Sequence, residues 1–420
     1  MKIYEMEEGG DSIKVNRVEQ TIIKPSHKMY SVINDFSIKS RTMYNYANWF
    51  CRQCFIRENH WLRYYEMQII FKNDKCYKNL MSQSSQCVLQ VLDRNWKSYF
   101  NGVKQWKKNP EKFLGMPKLP KYIKSKGWIW LLKNNNTYIK EGRLYFRLKA
   151  MQGYSFKTEI PKDSRLISVR FVPKNGNFVL EIVYEIELPY ISEFNNNYVS
   201  IDLGINNFIT VSNNIGQRPT IIKGGFVKSE NQWYNKRRAD KYSKLTDAYW
   251  SKYLDRITVI RYNRIKNYMH HVSKYVIDFC KANKIDNVIV GLNETWKQEV
   301  NMGNRVNQNF VFIPYDMFIK QLQYKCQDNG MRLITHEESY TSGTSALDNE
   351  LPIKENYNKK RRIKRGLFRS NEGILINSDV NGSIQIAKKV NPNIFQEYGL
   401  EGCLNPITIK DIFSCYKQSA

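Results

Sequence analysis

The sequence predicts a mixed fold, α+β / α/β, and three observations carry that reading. An apolar strand with one acid, Val199-Ser200-Ile201-Asp202-Leu203, passes through Gly204-Ile205-Asn206-Asn207 into a second strand, Phe208-Ile209-Thr210-Val211. Beyond it, runs of helical and strand period alternate as far as Ser378-Asp379-Val380-Asn381-Gly382. Before it stand one strand, a long helical stretch and then further strands, an order that keeps helices and strands apart.

Each element has its own signal. Residues 11–25 alternate enough for a strand, and residues from 30 to about 106 read as helical and rich in Tyr and Trp. Strand-like runs follow at 143–148, 166–172 and 178–186, ending near Pro189, and Glu193-Phe194-Asn195-Asn196-Asn197 reads as a linker. In the second half the Asp202 hairpin gains a third strand at 219–223. Residues 229–284 read as a helical hairpin. The stripe Ile265, Tyr268, Val272, Tyr275, Val276 and Phe279 should lie on the sheet, with Arg256, Arg261, Arg264 and Lys266 facing outward. A buried strand at 285–292 and a helix at 315–328, opened by Pro314 and stopped by Asn329-Gly330, come next, then a strand at 331–335. A strand hairpin, helix, strand, helix, strand and final helix is the order of a ribonuclease-H-like domain, with residues 339–376 inserted before the last helix.

In that setting the two acids gain meaning. An aspartate inside a strand is normally disfavoured, so Asp202 before a turn suggests a carboxylate held at the working edge of a sheet. Ribonuclease-H-like nucleases present their first metal ligand in this way. Asp379, in a strand-to-helix setting, makes a candidate split metal site with it. Taken alone, Asp202 also reads as turn chemistry and Asp379 as a cap for a helix starting at Val380. Their co-occurrence with the charge balance and the element order favours the metal-site reading.

Across 420 residues, 66 Lys and Arg face 39 Asp and Glu, a net charge of +27 that calls for a polyanionic partner. Nucleic acid is the commonest one. No run approaches the ~20 apolar residues of a spanning helix, and residues 1–10 are acidic rather than signal-like. A cytoplasmic protein with no membrane partner is expected. An apolar content of 42% is enough for two or three domains with proper cores. Residues 101–130 hold eight lysines, Lys104, Lys107, Lys108, Lys118 and Lys121 among them, against one glutamate. They are interleaved with Trp106, Phe113, Tyr122, Trp128 and Trp130, and prolines at 110, 117 and 120 argue for a loop. Basic residues mixed with aromatics suit phosphate contact and base stacking. A second cationic run, Lys359-Lys360-Arg361-Arg362-Ile363-Lys364-Arg365, lies in the insertion and is also expected to contact nucleic acid.

The eight cysteines fit a reducing compartment. Cys51 and Cys54 form a CxxC inside a helical run, but no second pair completes a zinc set, so core cysteines are expected. The five histidines (27, 60, 270, 271, 336) are scattered.

The Asp202 hairpin, Lys228-Ser229-Glu230-Asn231-Gln232-Trp233-Tyr234-Asn235-Lys236-Arg237 and Asn307-Gln308-Asn309-Phe310-Val311 together resemble the TnpB family. So do Glu337-Glu338-Ser339-Tyr340-Thr341-Ser342, Ser378-Asp379-Val380-Asn381-Gly382 and the lysine-rich Gly115-Met116-Pro117-Lys118-Leu119-Pro120-Lys121-Tyr122. The resemblance runs from about residue 15 to 390. It implies transposon-associated, RNA-guided DNA endonucleases related to compact type V CRISPR effectors, in a bacterial, nucleoid-associated setting. The implied architecture is a recognition lobe over 1–195, a wedge β-barrel with a helical insertion at about 28–110, and a RuvC nuclease domain. That domain would take 196–338 and a last helix at 377–392, around an insertion at 339–376 that loads the target strand, with a tail at 393–420. The implied partners are a guide RNA from the transposon end and a double-stranded DNA target, read by base pairing and a short adjacent motif.

Two departures from the family pattern stand out. Many members carry a four-cysteine zinc ribbon in the insertion; none of its cysteines is present here, so no zinc is expected and packing should hold the segment. The usual middle Glu at the end of the 285–292 strand is replaced by Gly291. The resemblance then assigns the middle acid to Glu338, with Glu337 second and Glu294 third. Adjacent residues on an extended segment point to opposite faces, so Glu337 and Glu338 cannot both serve. Asp202, Glu338 and Asp379 are thus the expected ligands of two Mg²⁺ ions, with Ser378 and Asn381 as neighbours of Asp379. A nuclease-inactive, RNA-guided DNA-binding repressor of the same fold is the alternative, and a DNA-strand transferase is the third reading.

Overall fold

The computed structural model describes residues 2–3, 12–246, 250–292, 313–395 and 400–416. Two compact units divide the chain. One spans Lys14–Glu187; the other holds the described residues from Leu188 onward together with the short strand Lys2–Ile3 (β1). The division falls a few residues before the expected linker.

In the first unit, strand Ser12–Ile23 (β2) leads into helices Tyr30–Glu58 (α1), Tyr64–Phe71 (α2), Lys75–Leu80 (α3) and Ser82–Lys108 (α4). Strands Trp130–Lys133 (β3), Thr137–Lys140 (β4), Arg143–Phe146 (β5), Ser155–Lys157 (β6), Arg165–Lys174 (β7) and Asn177–Pro189 (β8) follow. β3, β4 and β6, of three or four residues, are too short to show a two-residue period, which is why they carry no signal in the sequence. Among the described strands, pairing gives a four-stranded sheet, β2-β8-β7-β3, and a three-stranded one, β4-β5-β6. The described pairings thus give two sheets and do not show the expected barrel. Trp130 joins helices to sheet: fully buried, it stacks on Phe36 of α1 at 4.4 Å and on Phe171 of β7 at 5.1 Å. Its indole N–H donates to Ser84 Oγ of α4 at 3.2 Å.

The lysine-rich segment after α4 is a loop, as its prolines require, but it is strapped down. One face of α1 supplies the fastenings. Ser37 Oγ donates to the Trp128 carbonyl at 2.6 Å, and Ser40 Oγ to that of Ile129 at 2.7 Å. Asn45 pairs both ways with the Ile123 backbone (3.0 and 2.7 Å), and Asn48 Nδ2 donates to the Pro120 carbonyl at 3.0 Å. These positions recur at helical spacing, so one stripe of α1 is polar because it serves the strap.

The second unit is a seven-stranded sheet in the order β1-β13-β12-β9-β10-β11-β16. Its strands are Tyr198–Leu203 (β9), Asn207–Asn213 (β10), Thr220–Lys223 (β11), Asn287–Leu292 (β12), Arg332–Glu337 (β13) and Ile407–Ile409 (β16). β9, β10 and β11 pair antiparallel, whereas β12 runs parallel to both β9 and β13. Helices Gly225–Tyr242 (α5), Lys252–Ala282 (α6) and Tyr315–Asp328 (α7) come before β13, and Ser378–Val390 (α8) comes after it. Residues 407–409, expected as tail, form an edge strand parallel to β11, so that part of the expectation is corrected. Within α6, Ile265, Tyr268, Val272 and Val276 are buried in the sheet-facing core as the stripe requires. Arg261 departs from expectation: its Nε donates to Asn231 Oδ1 of α5 at 2.7 Å instead of facing outward.

Strand alternation sorts the sheet into two layers. Val199, Ile201, Leu203, Val288, Val290 and Leu333 join the core under α6 and α7, whereas Ile289 and Ile334 join Val380, Ile384 and Ile386 of α8. By parity, Asp202 and Gly291 belong to the α8 face.

The insertion carries strands Leu367–Arg369 (β14) and Leu375–Asn377 (β15), paired antiparallel around the buried Phe368. A polar hub supplements packing there. Glu350 accepts from Arg361 Nη1 at 2.6 Å and from the Ser345 N–H at 2.8 Å. Asn381 of α8 accepts from the Ala346 N–H at 2.9 Å and donates to the Thr344 carbonyl at 2.8 Å. Since the Arg361–Glu350 pair is largely buried, Glu350→Ala should cost about 2 kcal/mol, the loss of a charge-assisted hydrogen bond with its partner left behind. Chemical denaturation reads the loss, and faster hydrogen exchange over 344–371 locates it.

Candidate functional site

Three acids from three elements meet on the α8 face of the sheet. Asp202 is on β9, and Asp379 lies in the first turn of α8. Glu338 follows β13 with the parity of Ile334, which packs under α8. Asp379 does not cap its helix. Asn377 does, its Oδ1 accepting from the N–H groups of Asp379 (2.9 Å) and Val380 (3.2 Å), so the Asp379 carboxylate is left for other partners.

Those partners are Asn207 and Arg362. Asn207 Nδ2 donates to Asp379 Oδ2 at 2.5 Å, while its Oδ1 accepts from Lys223 Nζ at 2.9 Å. A relay from β11 through β10 to α8 thereby orients the carboxylate. Arg362 Nη2 stands 3.5 Å from Asp379 Oδ1 and 3.4 Å from Ser378 Oγ. Asn381, expected beside Asp379, instead holds the backbone of the insertion. Asn207 is not among the residues that sequence reasoning singles out, although it opens β10 directly after the turn of the first motif; only the fold brings it to α8.

The two consecutive glutamates separate as extended geometry requires. Glu337 accepts from Lys389 Nζ at 3.0 Å and from Ser339 Oγ at 2.7 Å. Burial works against its charge, but the Ser339 and Lys389 hydrogen bonds hold its carboxyl below the ordinary value. Glu338 has the opposite surroundings. Its Oε2 is buried without a hydrogen-bond partner, and burial, then the Glu337 charge, pushes its carboxyl up to about 7. Asp202 is raised well above the usual carboxylate range by burial, then by Glu338, then by Asp379, with Arg362 opposing. The phenol of Tyr315, which donates to the Gly204 carbonyl at 2.9 Å, is pushed up by burial and by Asp202 and Glu338. Glu294 and the 307–311 motif lie outside the described residues.

A hard cation fits this donor set in kind: three carboxylates, one with an unsatisfied buried oxygen, are what Mg²⁺ would satisfy. Among the described residues no three Asp, Glu, His or Cys side chains already close into a metal cage. Asp379 leans on Asn207 and Arg362 instead. Cys51 is buried against Met67, and burial pushes its thiol up to about 12.

Of the cations singled out, Lys104, Lys107, Lys108, Lys118 and Lys121 all lie on α4 and the strap, where they reach solvent. Lys359, Lys360 and Arg365 reach solvent on the insertion, but Arg361 turns inward to Glu350 and Arg362 toward Asp379. The run thus divides between surface and structure.

Two segments of the chain match known protein families. Residues 181–297 match the OrfB_IS605 family, described as a probable transposase, and residues 315–386 match the Cas12f1-like TNB domain. Both matches are consistent with a TnpB-like protein. No curated protein sequence matches it. Among solved structures, a cryo-EM Cas12f1–sgRNA–target DNA complex is similar at a TM-score of 0.53 and 13% identity, covering 86% of this chain and 82% of that one. A Cas12f ternary complex aligns at a TM-score of 0.35 and 12% identity, over 84% and 80% of the two chains. The chain therefore shares a mixed α+β fold with the first of these. No described helix is long and apolar enough to cross a membrane.

The raised acids set a pH dependence. Groups whose folded pKa lies above the unfolded value stabilise the fold fully below about pH 4, and lose that contribution as pH rises through the folded values. With Glu338 near 7, the melting temperature of the metal-free protein should fall from about pH 5 to about pH 8. Glu338→Gln should flatten that fall in a thermal-denaturation series.

Proposed function

We propose that this chain is an RNA-guided, Mg²⁺-dependent DNA endonuclease of the TnpB type, cutting phosphodiester bonds at Asp202, Glu338 and Asp379. The observation that carries it is the convergence of these acids from β9, the end of β13 and α8, with Glu338 Oε2 buried and unpartnered. The strand order and the closing helix support a RuvC, ribonuclease-H-like assignment for the second unit. The two sheets and four helices of the first unit support a wedge and recognition role, with guide RNA and target DNA as partners in a bacterial, nucleoid-associated setting.

Asp202, Glu338 and Asp379 are the residues that would hold Mg²⁺ here. Bound there, the ions would activate a water and stabilise the leaving 3′ oxygen. Asn207 and Lys223 hold the Asp379 carboxylate in place. Arg362, half-exposed beside the acids, can meet phosphate charge at the scissile bond. The exposed lysines of α4 and the strap, with Lys359, Lys360 and Arg365, offer phosphate contacts along a guide–target duplex.

Cleavage by the purified complex with its guide RNA tests the reading. Asp202→Ala should abolish cleavage and keep guide-RNA binding. Glu338→Gln should reduce cleavage by orders of magnitude, whereas Glu294→Gln should leave it nearly intact. Residual cleavage by Asp202→Ala within about tenfold of wild type would remove Asp202 from the site. Guided DNA binding by the wild type with no cleavage in Mg²⁺ would favour the repressor reading.

The cationic surface has a separate readout. Replacing Lys359, Lys360 and Arg365 with Gln should weaken duplex binding and reduce the slope of log K against log salt by about 0.9 for each phosphate no longer neutralised. Replacing Arg361 should instead lower stability. An unchanged slope would make the run a solvated surface.

A further inference from the structure

Two glycines border the acidic site, and neither is there for backbone freedom: Gly291 in β12 and Gly382 in α8 both lack the left-handed φ that favours glycine. Glycine weakens strand and helix interiors, so each position needs another reason. The space beside them supplies it. A Cβ on Gly291 would stand 2.9 Å from Glu338 Oε2 and 2.5 Å from Ile386 Cδ1. A Cβ on Gly382 would stand 3.2 Å from Asp202 Oδ2. The Gly291 contacts are clashes and the Gly382 contact is a tight one, and all of them are with side chains rather than backbone.

We propose that Gly291 and Gly382 are positioning residues of the acidic site, each reserving the space that one carboxylate occupies. Gly291 leaves room on β12 for Glu338 to fold across from the neighbouring strand, and Gly382 leaves room on α8 for Asp202. The inference rests on the proposed metal-binding role of these acids and adds the residues that set their spacing. It also accounts for the pairing of a glycine at the end of β12 with an acid beyond β13. An alanine at Gly291 is accommodated by moving Glu338 and Ile386, and one at Gly382 by a small shift of Asp202, so the fold survives while the ligand geometry changes.

Mn²⁺ binding to the full chain with its guide RNA, measured by calorimetry, is the test, beside the melting temperature of the metal-free protein. Gly291→Ala and Gly382→Ala should each weaken Mn²⁺ binding about 10- to 100-fold, as loss of ligand orientation does, with melting near that of wild type. Gly225→Ala is the control, since its Cβ meets nothing within 4 Å, and should bind Mn²⁺ normally. Adding Ile386→Val to Gly291→Ala removes the clash with Cδ1 but leaves the one with Glu338, so affinity should stay low. Affinity restored by Ile386→Val would overturn the proposal by making core pressure the cause. Normal Mn²⁺ affinity in both glycine variants, with Glu338→Gln impaired, would also overturn it while leaving the site reading intact. An unimpaired Glu338→Gln would instead sink the site reading itself. Should Gly291→Ala fail to fold, Gly382→Ala carries the same comparison.

Discussion

The second unit is organised by a repulsion that its sheet imposes. Asp202 and Glu338 flank the central strand β12 from either side, because β12 pairs in parallel with β9 (Val290 opposite Ile201) and with β13 (Gly291 opposite His336). α8, packed across the same face through Val380, Ile384 and Ile386, brings Asp379 to them. Held together away from bulk water, Asp202 and its neighbours Glu338 and Asp379 repel, and the proton affinity of Asp202 rises. The apolar layers on both faces of the sheet hold them there. A cation or a bound proton relieves the repulsion, and that is the physical basis for reading the cluster as functional rather than structural.

Cations on this chain serve two different ends. Arg261, Arg361 and Lys389 are bonded to Asn231, Glu350 and Glu337, and so fasten elements together. The lysines of the strap reach solvent because the strap is fixed through its backbone, by Ser37, Ser40, Asn45 and Asn48 of α1. An ordered backbone carrying exposed lysines loses less entropy on meeting a polyanion than a free loop would. Exposed charge and buried charge therefore divide the labour of the net +27.

The insertion, which contains no cysteine, is held by a polar hub. Glu350 collects donors from Arg361, Ser345 and Asn371, while Asn381 and Lys388 of α8 reach the backbone of 344–346. Lys388 is nearly fully buried, and burial pushes its ammonium down to about 8. A polar hub of this kind does locally what a metal cross-link does, provided every partner is present.

The sequence by itself determined the long periodic elements. The helix at 315–328 came out to the residue, and the stripe on α6 and the strands around Asp202, Val288 and Leu333 carry their burial in their spacing, because side chains on a helix or strand repeat at fixed intervals. It also separated Glu337 from Glu338, since neighbours on an extended chain diverge. Local pattern could not reveal strands of three or four residues or the pairing of 407–409 with β11, both of which depend on distant partners. Nor could it show that Asn207 reaches Asp379 from 172 positions away, that Arg361 turns inward, or that Gly291 is the space beside Glu338. Those were decided by the tertiary structure, because hydrogen bonds, ion pairs and steric room are set by which surfaces meet, and no single segment contains both sides of a contact.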